Sequence, residues 1–127
     1  DGAPFMKHLG VRLLRVDTGL CETAVDVQPW QLQQDGFVHA GVQATLADHT
    51  AGAAAGTLMA ADEIVLTVEF KINLLRPAQG ESLICRARVL RPGSQITVAE
   101  SEVFARVAGH DRLTAKAMVT LTYVPAR

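Results

Sequence analysis

The sequence predicts an α+β fold in which a curved antiparallel sheet of five or six strands wraps around one long central helix. Three observations carry that reading. Residues 39–60 hold no proline and are dominated by Ala, Leu, Met, Gln and Thr, all compatible with a helix of roughly 30 Å at about 1.5 Å per residue. Residues 64–75 alternate strictly, with Ile64, Leu66, Val68, Phe70, Ile72 and Leu74 on one parity. Strong turn signals at Arg91-Pro92-Gly93-Ser94 and Ala108-Gly109-His110-Asp111 divide the C-terminal third into further strands.

Taken in chain order, residues 5–9 suit a short helical turn. Residues 11–16 and 20–27 read as two strands joined by Asp17-Thr18-Gly19, and Pro29 closes the second. After the long helix and the alternating strand come strands at 82–90, 95–107 and 113–124, expected to run on as an antiparallel meander. The helix is apolar on nearly every face, which marks it for burial rather than for a surface. Gly41, Gly52, Gly56 and the alanines between them are expected to keep it thin, so that strands can approach closely.

Composition narrows the function. The 127 residues, 49% hydrophobic, are enough for one domain spanning 1–127 with a core that needs neither disulfide nor structural metal. Twelve basic and 13 acidic residues are dispersed, giving a net charge of -1, so no basic block offers itself to a nucleic acid. Cys21 and Cys85 are isolated, without a second Cys or a His at ligand spacing, and read as buried free thiols of a reducing, cytoplasmic compartment. The apolar stretch 41–61 contains Asp48, His49 and three glycines, making it a poor membrane span, and the first residues lack the charged start and apolar run of a signal peptide. No Gly-x-Ser-x-Gly elbow, phosphate loop or metal-ligand set is present, and neither metal nor cofactor is expected.

The anomaly is Asp48. It falls mid-helix among Leu46, Ala47, Ala51, Ala54 and Ala55, although Asp is a weak helix former and is seldom buried without a partner. In the bland account it faces a solvent-filled seam or bonds a nearby hydroxyl. The segment before it changes the balance: Gln33-Gln34-Asp35-Gly36-Phe37-Val38-His39-Ala40-Gly41 leads into the helix, with Asp48 nine residues after the His. This pattern resembles the signature of hot-dog-fold acyl-CoA thioesterases of the phenylacetic-acid and 4-hydroxybenzoyl-CoA types. In that signature an Asn or Gln lies in the loop, a Gly follows three residues later, a His-Gly-Gly opens the helix, and an acid stands nine residues beyond the His. Gln33, Gly36, His39 and Asp48 occupy those places. The resemblance continues into Leu74-Leu75-Arg76-Pro77-Ala78 with Gly80 beyond, similar to the family's strand-closing segment. Ala40 departs from the usual first Gly, and Gln33 stands where many members carry Asn.

The resemblance implies an aryl- or short- to medium-chain acyl-CoA substrate and a set of site residues: Asp48 as nucleophile or general base, Gln33 as a hydrogen-bond donor, the Ala40 and Gly41 N–H groups as an oxyanion hole, and Thr67 as a hydroxyl near the carboxylate. Free N–H groups at the positive end of a helix dipole suit a carbonyl oxygen that becomes negative. His39 is expected to shape the loop and helix start rather than act as base. Arg76, Arg91 and Lys116 are open as contacts to coenzyme A phosphates, and His49 reads as a packing or interface residue. His39 and Asp48, nine residues apart at about 100° each, project to opposite sides of one helix. One helix cannot bring both to one site, but two helices about a two-fold axis can, so a homodimer is the smallest expected active unit, and the resemblance implies a homotetramer above it. Two rivals stay open: a hot-dog hydratase or dehydratase, in which His39 is the essential base, and a non-catalytic acyl-CoA-binding module.

Overall fold

The computed structural model describes residues 3–127. Its elements, in chain order, are α1 (Pro4–Leu9), β1 (Arg12–Asp17), β2 (Leu20–Asp26), a 3-10 turn (Pro29–Gln31), α2 (Ala40–Gly56), β3 (Glu63–Leu74), β4 (Ser82–Arg91), β5 (Ile96–Val107) and β6 (His110–Pro125). Pro4 opens α1, where its missing N–H costs nothing, and Gly10 closes it in the left-handed conformation at φ 85°, with its N–H donated to the Met6 and Lys7 carbonyls. Among the described residues no helix is long and apolar enough to cross a membrane.

All six strands form one antiparallel sheet in the order β1-β2-β4-β5-β6-β3, bent around α2 in the hot-dog arrangement. This corrects the expected meander. Of the four strands after α2, only β4, β5 and β6 pair in sequence; β3 lies at the far edge against β6, while β4 pairs back with β2. The chain between β3 and β4 therefore crosses from one edge of the sheet to its middle, and that crossing leaves β3 with one backbone edge unpaired.

Alternation along β3 is also interrupted. Thr67 pairs with Leu121 and Glu69 with Thr120, so Val68 is an extra residue in a bulge. Before the bulge Val65 and Thr67 face the helix; after it Ile72 packs on the core and Phe70 turns to the same side. The uninterrupted period of two in the sequence hides this exchange of faces, which a bulge imposes because it shifts parity by one.

One face of α2 packs on the concave side of the sheet. Leu46, Ala47, Ala51, Ala54 and Ala55 are fully buried against Cys21 and Val25 of β2, Leu83 and Cys85 of β4, Ala99 and Val103 of β5, and Ala117, Val119 and Leu121 of β6. Small side chains let the helix lie close to the strands, and polar ties fix its depth. Ser101 donates to the Ala47 carbonyl at 2.7 Å, the Tyr123 hydroxyl donates to the Ala55 carbonyl at 2.8 Å, and the Thr23 and Thr50 hydroxyls meet at 2.7 Å. The glycines are not what permits this approach: a Cβ at Gly52 or Gly56 would meet its nearest neighbour at 3.8 or 3.9 Å, ordinary contact. Nor is the helix buried all round. Ala44, Thr45, Asp48, His49, Gly52 and Ala53 form a half-exposed stripe beside the face that the sheet covers.

Candidate active site

Asp48 sits on that stripe. Its Oδ1 accepts the Thr67 hydroxyl at 2.7 Å, so the strand residue immediately before the β3 bulge fixes the helix carboxylate. The carboxylate lines a groove of about 530 Å³ with Phe5 and Met6 of α1, Gly41 and Thr45 of α2, and Phe70 of β3. Apart from Asp48, only Thr45 and His49 bring polar side chains to the lining, and the rest is apolar, a setting that strengthens whatever charge interaction a bound substrate makes with the carboxylate. His49, beside it, is held below the ordinary imidazole range by burial, with the Asp48 charge pulling the other way.

At the helix start, His39 is the N-cap. Its Nδ1 accepts the Gly41 N–H at 2.8 Å, its own N–H donates to the Gln31 carbonyl at 2.9 Å, and its carbonyl accepts the Val42 N–H at 2.9 Å. An accepting Nδ1 requires a neutral ring with the proton on Nε2. A Cβ at Gly41 would lie 3.1 Å from Nδ1, so a larger residue there would have to push the capping imidazole slightly aside. The Gly41 N–H is therefore not the unsatisfied donor anticipated from the sequence, because the imidazole satisfies it. The Ala40 N–H, by contrast, has no acceptor among the described residues.

Gln33 is aimed by its own loop. Its Oε1 accepts the Asp35 N–H at 2.5 Å and the Phe37 N–H at 3.2 Å, which leaves the amide NH2 to point outward, while the Gln33 N–H and the Phe37 carbonyl close the loop at 2.8 Å. Gly36, at φ 87°, makes that turn possible. Gln33 and Ala40 line a second cavity of about 350 Å³ together with Phe37, Gln43, Leu74 and Arg76. The donors and the carboxylate thus open on different sides of the helix start within one chain, and only Gly41 touches the Asp48 groove.

The segment around Gly80 is locked against the β5–β6 hairpin, where a Cβ would come within 2.6 Å of the Arg106 carbonyl oxygen. Among the cations considered for phosphates, Lys116 is engaged with Glu100 at 3.2 Å and Glu102 at 3.7 Å, and Arg76 donates to the Leu113 carbonyl at 2.7 Å. Cys21 and Cys85 are buried free thiols, and burial pushes Cys85 up to about 12, which removes it as a nucleophile. Among the described residues no cluster of His, Cys, Asp or Glu could hold a metal ion. Sequence reasoning passed over Gln43, Phe5 and Phe70. The signal for Gln43 was available, as a polar residue one turn after Ala40 in an otherwise small-residue helix.

A long helix wrapped by a six-stranded antiparallel sheet is the hot-dog fold, and thioester hydrolases are a class of protein built on it. Residues 35–107 match the thioesterase superfamily, a span that runs from the Gln33 loop's second half through α2, β3, β4 and β5, and the chain belongs to that superfamily. A solved thioesterase family protein from Silicibacter pomeroyi superposes with a TM-score of 0.95 at 39% identity, covering 98% of this chain and 91% of that one. The chain is also similar to the 1,4-dihydroxy-2-naphthoyl-CoA hydrolase of Listeria monocytogenes, 27% identical across 75% of this chain and 77% of the relative. The medium/long-chain acyl-CoA thioesterase YigI of Escherichia coli is 26% identical over 79% of this chain and 74% of its own.

Proposed function

We propose that the chain cleaves the thioester of an aryl- or short- to medium-chain acyl-CoA, releasing the free acid and coenzyme A, in a homodimer that pairs further into a homotetramer. The observation that carries this reading is the Asp48–Thr67 contact, set apart from the donors that the reaction also needs. A second copy resolves the separation by presenting its own Asp48 to the Gln33 and Ala40 of this chain. β3 offers the means: it is an edge strand with Ile64, Leu66, Val68 and Phe70 exposed, and such an edge invites pairing with another strand. The similar enzymes from Listeria and Escherichia coli both act on coenzyme A thioesters, which supports the leaving group, while their differing acyl groups leave the acid to this chain's own pocket.

In this scheme the Ala40 N–H and the Gln33 amide donate to the thioester oxygen. Charge that develops there as the carbonyl carbon becomes tetrahedral is met by fixed donors at a helix N-terminus. Asp48 supplies the attack, either by adding to the carbonyl carbon itself or by taking a proton from the water that adds. The C–S bond then breaks, coenzyme A leaves as thiolate and takes up a proton, and water provides the second oxygen of the acid. Thr67 holds the carboxylate in place, and His39, committed to Gly41, holds the helix start. The buried reduced thiols fit a cytoplasmic setting.

The test is complementation between dead chains. Gln33→Ala and Asp48→Ala proteins, each without activity on a panel of aromatic and aliphatic acyl-CoAs, should regain release of coenzyme A when unfolded and refolded together, because a mixed dimer contains one intact site. No recovery in a mixture shown to contain mixed dimers overturns the shared site. If His39→Asn abolishes turnover as completely as Asp48→Ala, a hydratase-like role for the imidazole replaces this one.

A further inference from the structure

We infer that Gln43 is a specificity-determining residue that selects acyl groups bearing an oxygen acceptor next to the thioester, on the carbon β to its carbonyl; the inference rests on the acyl-CoA reading above. Gln43 is only 3% exposed, yet it lines the same 350 Å³ cavity as Gln33 and Ala40. Its Oε1 accepts the Thr114 hydroxyl at 2.7 Å, and that hydroxyl also lies 3.1 Å from the Val103 carbonyl oxygen. β6 thus fixes one end of the amide. The other end, Nε2, has no acceptor among the described residues, and since no buried side-chain N or O atom among them lacks a partner, this N–H is open to the solvent of the cavity that Gln43 lines.

An N–H open to solvent costs nothing in the free protein, but a bound acyl group that covers it without offering an acceptor strips its water and leaves it unpaired, a loss comparable to a whole hydrogen bond. The occupant is the substrate, because the adjoining Ala40 N–H and Gln33 amide are the groups that receive its thioester oxygen. Gln43 lies three residues after Ala40, on the same helix face, and helical side chains lean back toward the N-terminus. Its NH2 therefore reaches toward the carbonyl that Ala40 holds rather than toward the distal end of the acyl chain. An oxygen on the β carbon, or in the ortho position of an aryl group, is the substituent nearest that point. A hydrocarbon acyl group leaves the N–H unpaired, and sites built to bond a polar group reject analogues that lack it far more strongly than apolar pockets reject an extra methylene.

The experiment compares kcat/KM for two matched pairs, 3-hydroxybutyryl-CoA against butyryl-CoA and 2-methoxybenzoyl-CoA against benzoyl-CoA, in the wild type and in Gln43→Met, which keeps the volume and removes the donor. The wild type should favour the oxygenated member of at least one pair by roughly ten- to hundredfold, and the preference should collapse toward unity in Gln43→Met. A ratio that is flat in the wild type, or unchanged by the substitution while both rates fall together, overturns the proposal and leaves Gln43 a packing residue. Should Gln43→Met fail to fold, Thr114→Val, which frees Oε1 and lets the amide turn, must reduce the same ratio. Absence of turnover with every thioester defeats the acyl-CoA reading itself, an outcome distinct from a flat ratio with brisk turnover.

Discussion

The Thr67 hydroxyl reaches Asp48 across 2.7 Å from the last residue before the β3 bulge, so the strand irregularity and the helix carboxylate form one device. Were Val68 paired in regular register, alternation from Thr67 would carry Phe70 to the outer face. With it, the hydroxyl and the aromatic ring both turn toward the Asp48 groove.

This coupling predicts a non-additive pair. Asp48→Asn should lower kcat by about a hundredfold or more, the scale of a lost general base. Thr67→Val alone should cost about tenfold, equivalent to roughly 1–2 kcal/mol for a hydrogen bond to a carboxylate. The double variant should be no slower than Asp48→Asn, since Thr67 acts only through that group. Equal multiplicative losses in steady-state kinetics would give Thr67 a separate contact with the substrate.

His39 is predicted to act by capping. His39→Ala should lower thermal stability by about 0.5–2 kcal/mol, the usual value of an N-cap, and should slow turnover because the helix start loosens around Ala40. His39→Asn restores an accepting side chain at the same position and should recover both. Recovery of stability without recovery of turnover, measured on one preparation by thermal unfolding and coenzyme A release, would show that the imidazole has a further role.

Glu100 gives a pH signature away from the site. Burial alone would raise its carboxyl, but hydrogen bonds from Arg88 at 2.7 Å and contact with Lys116 at 3.2 Å outweigh burial and hold it below the ordinary range. A folded-state value lower than the unfolded one means that the unfolded chain binds more protons on acidification. The stabilisation is therefore complete above the ordinary glutamate value, about 4.3, and is lost as pH falls through the lower folded value. Glu100→Gln should be less stable than wild type at neutral pH, with the two unfolding midpoints converging as pH falls below that range. A gap that stays constant with pH would mean that Glu100 contributes through packing and not charge.

The elements of this fold were legible because their signals are local. Residues 39–60 lack proline and favour a helix, residues 64–75 alternate, and the two four-residue turns sit where hairpins are needed; the observed α2 and the strands from β3 to β6 follow within a few residues. The Asp48 anomaly and its distance from His39 were equally readable, since helical periodicity alone places them on opposite sides. The Gly41 N–H was misjudged because the sequence shows the imidazole but not its rotamer, and the rotamer is what lets Nδ1 accept that N–H.

By itself the sequence determined the inventory of helix and strands, the position of the carboxylate on its helix, and the loop that leads into it, all of which depend on residues close together in the chain. Only the tertiary structure decided that β3 lies beside β6 rather than β4, that a bulge at Val68 turns Phe70 toward Asp48, and that Thr114, 71 residues after Gln43, anchors its amide. The reason is physical: strand order and side-chain partnership across the sheet are settled by burial of whole faces against one another, and no short window of sequence contains both faces.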